Sequence, residues 1–296
     1  MADAPEIGAV AFVGLGNMGS RMARRLAEAG YAVRGFDLAP AARSALEQRG
    51  GMAAASAAEA VADADVTVLM LPDSNVVEKV VTEPAVLDAL APGTTVVDMS
   101  SSEPERTRAL AQVLAQRGVT LVDAPVSGGV QRAESGELAI MVGGEQRDIA
   151  RVQQVLSALG RTYHAGPVGA GHAVKALNNL MSATHLLVTS EAILAGQQFG
   201  LDTDVMLAIF NASSGRSGST ENKWPRFIAP ETFDSGFGLR LMLKDMRIAV
   251  RLAEQMGSPS ALGASAVELW SMAADELPPD ADHTEIARWL RPHPSA

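Results

Sequence analysis

The sequence predicts an α/β fold: a doubly wound parallel sheet, followed by an all-helical C-terminal domain that a long interdomain helix joins to it. Three observations carry this. Short apolar runs alternate with helical stretches over the first half of the chain, the pattern of parallel strands linked by crossover helices. A glycine-rich turn, Gly14-Leu-Gly-Asn-Met-Gly19, lies between the first such run and the first helical stretch. Beyond residue 165 the strand pattern stops, and residues 169–199 read as one helix with no proline. The expected domains are therefore residues 1–165, the sheet domain, and 166–296, the helical domain including the helix at about 169–199.

In order along the chain, residues 8–14 read as a short buried strand and 17–29 as a helix ended by Gly30. A second strand, 31–36, closes on Asp37. Further strands are expected at 66–71, 94–99, 119–122, 138–142 and 161–164, with helices at 76–90, 104–117 and 145–159. In the long helix, Val174, Leu177, Met181, Leu187, Val188 and Ala195 recur every three to four positions and are expected to form a buried stripe. Gly171, Lys175, Asn178, Asn179 and Ser182 share a second stripe, so that an ammonium and two amides point the same way. Helices at 203–210, 239–256 and 260–274 complete the chain, with a polar loop at 211–220.

Composition narrows the function classes. A chain of 296 residues that is 47% apolar has enough material for a sizeable core. It has 34 acidic against 24 basic residues and a net charge of −10, with no basic cluster, so nucleic acid is not an expected partner. No apolar run approaches about 18 residues and the first residues form no signal core, which points to a cytoplasmic protein with no membrane partner. Cysteine is absent, and the five histidines show no ligand spacing with one another, so no metal is expected.

The glycine turn follows a strand and opens a helix. Gly14, Leu15, Gly16, Asn17, Met18 and Gly19 then form a loop whose backbone can approach a pyrophosphate at a helix N-terminus. Asp37 at the end of the second strand suits the ribose hydroxyls and repels a 2′-phosphate, which makes NAD the expected cofactor over NADP. Leu71-Pro72-Asp73 and Asp98-Met-Ser-Ser-Ser102 follow the carboxyl ends of strands, where such sheets bind ligands, although simple strand-to-loop punctuation explains them equally. Ser127, Gly128 and Gly129 form either a backbone cradle for a carboxylate or an ordinary turn. Taken alone, Lys175 reads as a solvated lysine, and Lys244-Asp245 as a solvated pair on a helix face.

Together, Gly14-Leu-Gly-Asn-Met-Gly19, Asp123-Ala-Pro-Val-Ser-Gly-Gly129, Gly169-Ala-Gly-His-Ala-Val-Lys175-Ala-Leu-Asn-Asn179 and Lys244-Asp245 resemble the β-hydroxyacid dehydrogenase family, and within it the 3-hydroxyisobutyrate dehydrogenases. The resemblance implies a Rossmann-type N-terminal domain, a helical domain that takes part in subunit contacts, and hence a homo-oligomer, dimer or tetramer. It implies hydride transfer between NAD and a small 3-hydroxy acid or its semialdehyde. It makes Lys175 the catalytic lysine, with Asn179 holding the substrate and Ser127, Gly128 and Gly129 binding its carboxylate. Leu71, Pro72, Ser101 and Lys244 match cofactor-side positions, and Asp245 is the acid beside that lysine.

Two positions depart from the family pattern. Where an asparagine often stands four residues after Leu-Pro, this chain has Val76, with Asn75 one place earlier. Where relatives with the Ser-Ser-Gly-Arg loop commonly carry a tryptophan, this chain has Gly218, which implies a larger or more polar substrate than 3-hydroxyisobutyrate. An imine reductase is the alternative within the fold, though relatives of that kind usually lack the lysine. A non-catalytic dinucleotide-binding protein is the alternative outside enzymes, and it has no need of Lys175, Asn179 and the Ser-Gly-Gly turn.

Overall fold

The computed structural model describes residues 7–291. Two compact units meet between Lys175 and Ala176. In the first, β1 (Ala9–Val13), β2 (Ala32–Phe36), β3 (Met52–Ala53), β4 (Val66–Leu69), β5 (Thr95–Asp98), β6 (Thr120–Asp123), β7 (Val126–Ser127), β8 (Leu138–Gly143) and β9 (Gly160–Gly166) form one sheet. Their order is 3-2-1-4-5-6-8-7, with β9 paired to β8. The first six strands are parallel and follow the order of a dinucleotide-binding doubly wound sheet.

Helices α1 (Gly19–Glu28), α2 (Pro40–Glu47), α3 (Ala57–Val61), α4 (Ser74–Val81), α5 (Pro84–Ala89), α6 (Pro104–Ala115), α7 (Gly129–Ser135) and α8 (Gln146–Leu159) connect the strands. Alternation along β1 shows how both faces of the sheet are covered. Val10 and Phe12 join a core with Met22 and Leu26 of α1 and Val152 and Leu156 of α8. Ala11 and Val13 point the other way, to Val77 and Val81 of α4 and Leu110 and Leu114 of α6.

Two expectations for this unit need correction. The sheet is not wholly parallel, since β8 runs antiparallel to β6 and β7. Residues 128–137 hold only the short helix α7, too little chain for a parallel crossover. The single helix expected at 76–90 is two helices, α4 and α5. Pro84 opens the second, and Glu83 before it is held extended at φ −58°, ψ 128°, the backbone that a following proline ring imposes.

The long helix α9 (Ala170–Phe199) runs through the boundary between the units. The second unit continues with α10 (Thr203–Asn211), a π-helical segment Ser219–Ile228 with Pro225 inside it, α11 (Leu239–Gln255), α12 (Ala261–Glu276), a 3₁₀ turn His283–Glu285 and α13 (Ile286–Trp289). Its core gathers Leu186, Leu187 and Ile193 of α9 with Trp224, Leu239, Met246 and Trp270. Among the described residues no helix is long and apolar enough to cross a membrane.

The phase of α9 is the reverse of the expected one. Val174, Leu177, Met181 and Val188 are exposed, as is Ala195, and only Leu187 of the expected stripe is buried. The buried line instead contains Gly171, Lys175, Asn179, Ala183, Leu186 and Ser190, with the helical period intact. Its polar members are buried because they have partners. Trp224 Nε1, for example, donates to Ser190 Oγ at 3.2 Å.

Candidate active site

Each glycine of the first turn meets a different demand. Gly14 has φ +96°, and a Cβ there would lie 2.3 Å from the Met70 carbonyl oxygen. A Cβ on Gly19 would lie 1.9 Å from Gly14 O and 3.1 Å from Phe12 Cε1, so only glycine lets α1 start this close to β1. Around the Cβ position of Gly16 nothing lies within 4 Å. That open approach to exposed backbone, with no acidic side chain in the first turn of α1, fits the pyrophosphate of a dinucleotide.

The Asp37 carboxylate faces this turn from the end of β2. Its Oδ2 accepts from Leu15 N at 2.8 Å and its Oδ1 from Ala39 N at 2.8 Å. Asp37 thus holds the glycine turn itself, and a carboxylate has further lone pairs for a ribose. The Leu15 amide is directed to Asp37 and its side chain is buried, while Asn17 is exposed and Met18 half-buried.

The next strand ends are tied to one another through Asp98, which is 1% exposed. Asp98 Oδ1 accepts from Ser100 N at 3.0 Å and Oδ2 from Ser102 Oγ at 2.9 Å. Ser100 Oγ in turn accepts from Leu71 N at 2.9 Å, fixing the loop that carries half-buried Leu71 and exposed Pro72. Half-buried Ser101 lies between these two serines. Asn75 belongs to a different interaction: its Oδ1 accepts from Arg106, whose guanidinium also pairs with Glu78.

After β6 the chain reaches Ser127, half-buried at the end of β7, and then Gly128 and Gly129 at φ +135° and +68°. A side chain on Gly128 would collide with Arg132, whereas the Cβ position of Gly129 is open. Asp123, fully buried, accepts from two amides at the start of α9: Gly169 N at 2.7 Å and His172 N at 2.9 Å. Hydrogen bonds to a charged acceptor contribute roughly 1.5–3 kcal/mol each, and a carboxylate at a helix N-terminus gains from the dipole as well. His172 is buried beside it, with Nδ1 2.8 Å from Thr107 Oγ1. One turn on, Lys175 is only 8% exposed, which removes the solvated-lysine reading.

In the second unit Asn179 is 4% exposed, and its Nδ2 donates to Asp245 Oδ2 at 2.6 Å. Asp245 is itself buried, so the pair on α11 is no solvated helix face, and Lys244 Nζ lies 3.1 Å from Asp245 Oδ1. Three of the residues picked out from the sequence are therefore brought together here. Asn178, by contrast, is exposed although it precedes Asn179, and donates to Asn179 Oδ1 at 3.2 Å. The loop before α11 is gripped by Asp282, whose carboxylate accepts from Ser235 Oγ, Gly236 N and Phe237 N. Burial alone raises the Asp282 pKa, but hydrogen bonds from His283 and Thr284 outweigh it and hold the carboxyl well below the usual carboxylate range. Gly218 precedes the π-helical segment at φ −59°, ψ −21°, with nothing within 4 Å of its Cβ position.

Sequence reasoning gave no role to His172, and none to Asp123 and Asp98 individually. Their signal was present only as a histidine inside the Gly-Ala-Gly-His motif and as two aspartates closing adjacent strands, Asp98 and Asp123, which pair in register.

A sheet of this order with this glycine turn defines a dinucleotide-binding protein of the doubly wound class. Residues 9–182 match the family model for the NAD binding domain of 6-phosphogluconate dehydrogenase, and residues 169–290 match that described as NAD-binding of NADP-dependent 3-hydroxyisobutyrate dehydrogenase. A 2-(hydroxymethyl)glutarate dehydrogenase of Eubacterium barkeri is 38% identical over 88% of this chain and 87% of its own length. An NAD-dependent L-serine dehydrogenase of Pseudomonas aeruginosa is 35% identical over 96% of this chain and 98% of its own. The solved structure of a Mycobacterium tuberculosis 3-hydroxyisobutyrate dehydrogenase with L-serine superposes with a TM-score of 0.91 at 33% identity, covering 97% of this chain and 100% of that one. The chain belongs to the β-hydroxyacid dehydrogenase family, in its 3-hydroxyisobutyrate dehydrogenase-like branch, and is an NAD-dependent oxidoreductase. Relatives at this identity are dehydrogenases of hydroxy acids, which decides against the imine reductase-like and non-catalytic readings.

Proposed function

We propose that this chain oxidises a 3-hydroxypropanoate bearing a polar or bulky substituent at C2, with Lys175 as the group that takes the hydroxyl proton. The observation that carries the assignment is the burial of Lys175 one helical turn before Asn179, whose amide Asp245 holds in place. NAD, when bound, supplies the hydride acceptor. Lys175 Nζ takes the proton of the hydroxyl as the carbonyl forms, and in the reverse direction its ammonium returns the proton to the carbonyl oxygen. Asn179 orients the substrate, and Ser127, Gly128 and Gly129 offer a hydroxyl and successive backbone amides to its carboxylate. Gly14, Gly16, Gly19 and Asp37 hold the dinucleotide, with Leu71, Pro72, Ser101 and Lys244 on the cofactor side. The apolar side chains exposed along α9 support a homo-oligomer, dimer or tetramer.

The substituent follows from two facts. Gly218, where the family resemblance implies a tryptophan, has open space around its Cβ position. L-serine and 2-(hydroxymethyl)glutarate, in the names of two relatives, both exchange the C2 methyl of 3-hydroxyisobutyrate for a polar group, an ammonium of similar size in the first and a longer carboxyethyl in the second. The test is NADH formation at 340 nm with all three acids. Activity ranked with 3-hydroxyisobutyrate above both polar acids overturns the substituent, and no activity with any 3-hydroxy acid overturns the reaction. In the variant Gly218→Trp the kcat/KM ratio should shift toward 3-hydroxyisobutyrate by about tenfold to a hundredfold, the scale of one filled apolar contact. The negative φ of Gly218 admits a side chain without backbone strain, so an equal loss on every substrate counts against the wall.

NAD should be preferred over NADP by at least about tenfold in kcat/KM, since a carboxylate against a phosphate in a partly desolvated site is repulsive. In Asp37→Ser the preference narrows through the cofactor KM. The KM for NAD also rises, because Asp37 anchors the Leu15 amide. Comparable wild-type kcat/KM with the two cofactors refutes the role of Asp37.

A further inference from the structure

We infer that Asp123 is the positioning residue for Lys175: it fixes the rotation and axial placement of the first turn of α9 against the sheet. The inference rests on the assignment of Lys175 as the catalytic lysine. An ordinary helix cap is local, drawn from within about three residues of the helix start. Asp123 lies 46 and 49 positions from the two amides it receives, so its bonds tie the helix to the end of β6 as well as satisfying the helix end. Each oxygen takes one amide, Oδ1 from Gly169 and Oδ2 from His172, and two bonds from one planar group leave little freedom to slide or to turn.

The surroundings are built for this carboxylate. A Cβ on Gly143 would lie 2.3 Å from Asp123 Oδ1, and one on Gly171 would lie 2.9 Å from Oδ2 and 2.3 Å from Met141 O. Glycine at both places makes the room that the buried acid occupies. His172 adds a tie from another element: Nδ1 reaches Thr107 Oγ1 of α6 at 2.8 Å, while its buried Nε2 faces Asp98 Oδ2 at the end of β5 from 3.7 Å, beyond hydrogen-bond distance. Lys175 is three residues beyond His172 on the same line of the helix, so whatever holds His172 also sets the direction in which the lysine leaves α9. Misplacing a reacting group by about 1 Å can cost on the order of 10² in rate.

The experiment is a double-variant cycle on the full-length protein with NAD and the best substrate found. Asp123→Asn keeps the shape and one acceptor but sets an amide NH₂ against a backbone N–H. It should lower kcat by about tenfold to a hundredfold while the KM for NAD stays within about twofold. In a Lys175→Ala background the same change should have almost no further effect on kcat, because the group it places is gone. A merely structural role predicts equal losses in both backgrounds. Near-normal kcat for Asp123→Asn, or losses that multiply, overturn the inference while leaving Lys175 catalytic. Near-normal kcat for Lys175→Ala overturns the lysine assignment, and the positioning role with it. Should Asp123→Asn not fold, Thr107→Val removes the hydroxyl partner of His172, together with only a local bond from that hydroxyl to the Glu103 carbonyl. A kcat loss of a few fold that vanishes in the Lys175→Ala background supports the inference, and an unchanged or additive effect overturns it.

Discussion

Replacing Lys175 by alanine lowers kcat by roughly 10²-fold or more, the scale on which an acid/base group contributes, and leaves NAD affinity nearly unchanged. The two halves of the result have separate causes. The lysine is held in α9 near the end of β6, whereas the glycine turn that suits the dinucleotide lies at the end of β1. Lys175→Arg should recover little, since a guanidinium is bulkier and does not readily release a proton. Steady-state kinetics beside NAD titration by fluorescence decide the matter. Normal turnover in a folded Lys175→Ala protein removes the lysine from the chemistry.

Gly16→Val produces the opposite split. Its Cβ position is open, and the backbone there needs no positive φ, so the melting temperature should stay within a few degrees of wild type. The added isopropyl group nevertheless stands where the pyrophosphate approaches, and NAD affinity should fall by about a hundredfold or more, roughly 2.7 kcal/mol. Gly19→Ala serves as the contrast. Its methyl would lie 1.9 Å from Gly14 O, so this variant loses thermal stability before cofactor binding is even measured. Equal melting temperatures for Gly19→Ala and wild type, or unchanged NAD affinity in Gly16→Val, contradict this division of labour.

How much of this was legible in the sequence depended on whether the deciding partner was near in the chain. The glycine turn could be read because each of its constraints acts on the glycine itself, as conformation, contact or open approach. The length of α9 could be read for a similar reason, since period and the absence of proline are local. Its phase could not. Both faces of α9 hold apolar side chains, and the buried line is decided by acids 46 and 66 positions away, Asp123 and Asp245, which give the helix amides and Asn179 their partners. Pro84 was visible as a helix breaker, yet apolar periodicity on either side of it bridged two helices into one. The antiparallel direction of β8 leaves no trace in alternation, which is the same for either pairing. Asp245 shows the same limit: beside Lys244 it reads as half of a surface pair, and only the fold turns it toward Asn179.

Because α9 passes unbroken from one compact unit into the other, Lys175 and Asn179 are phased by helix geometry alone. Chimeras that join the first unit of this chain to the second unit of a relative must therefore be spliced inside a helix, in register. A splice that gains or loses one residue between positions 175 and 179 turns Asn179 about the helix axis by about 100° relative to Lys175 and shifts it by about 1.5 Å. Each unit could then fold on its own core while Lys175 and Asn179 no longer share one line of the helix. Natural recombination and length variation should accordingly fall in loops such as 256–260, between α11 and α12, leaving the spacing from lysine to amide invariant.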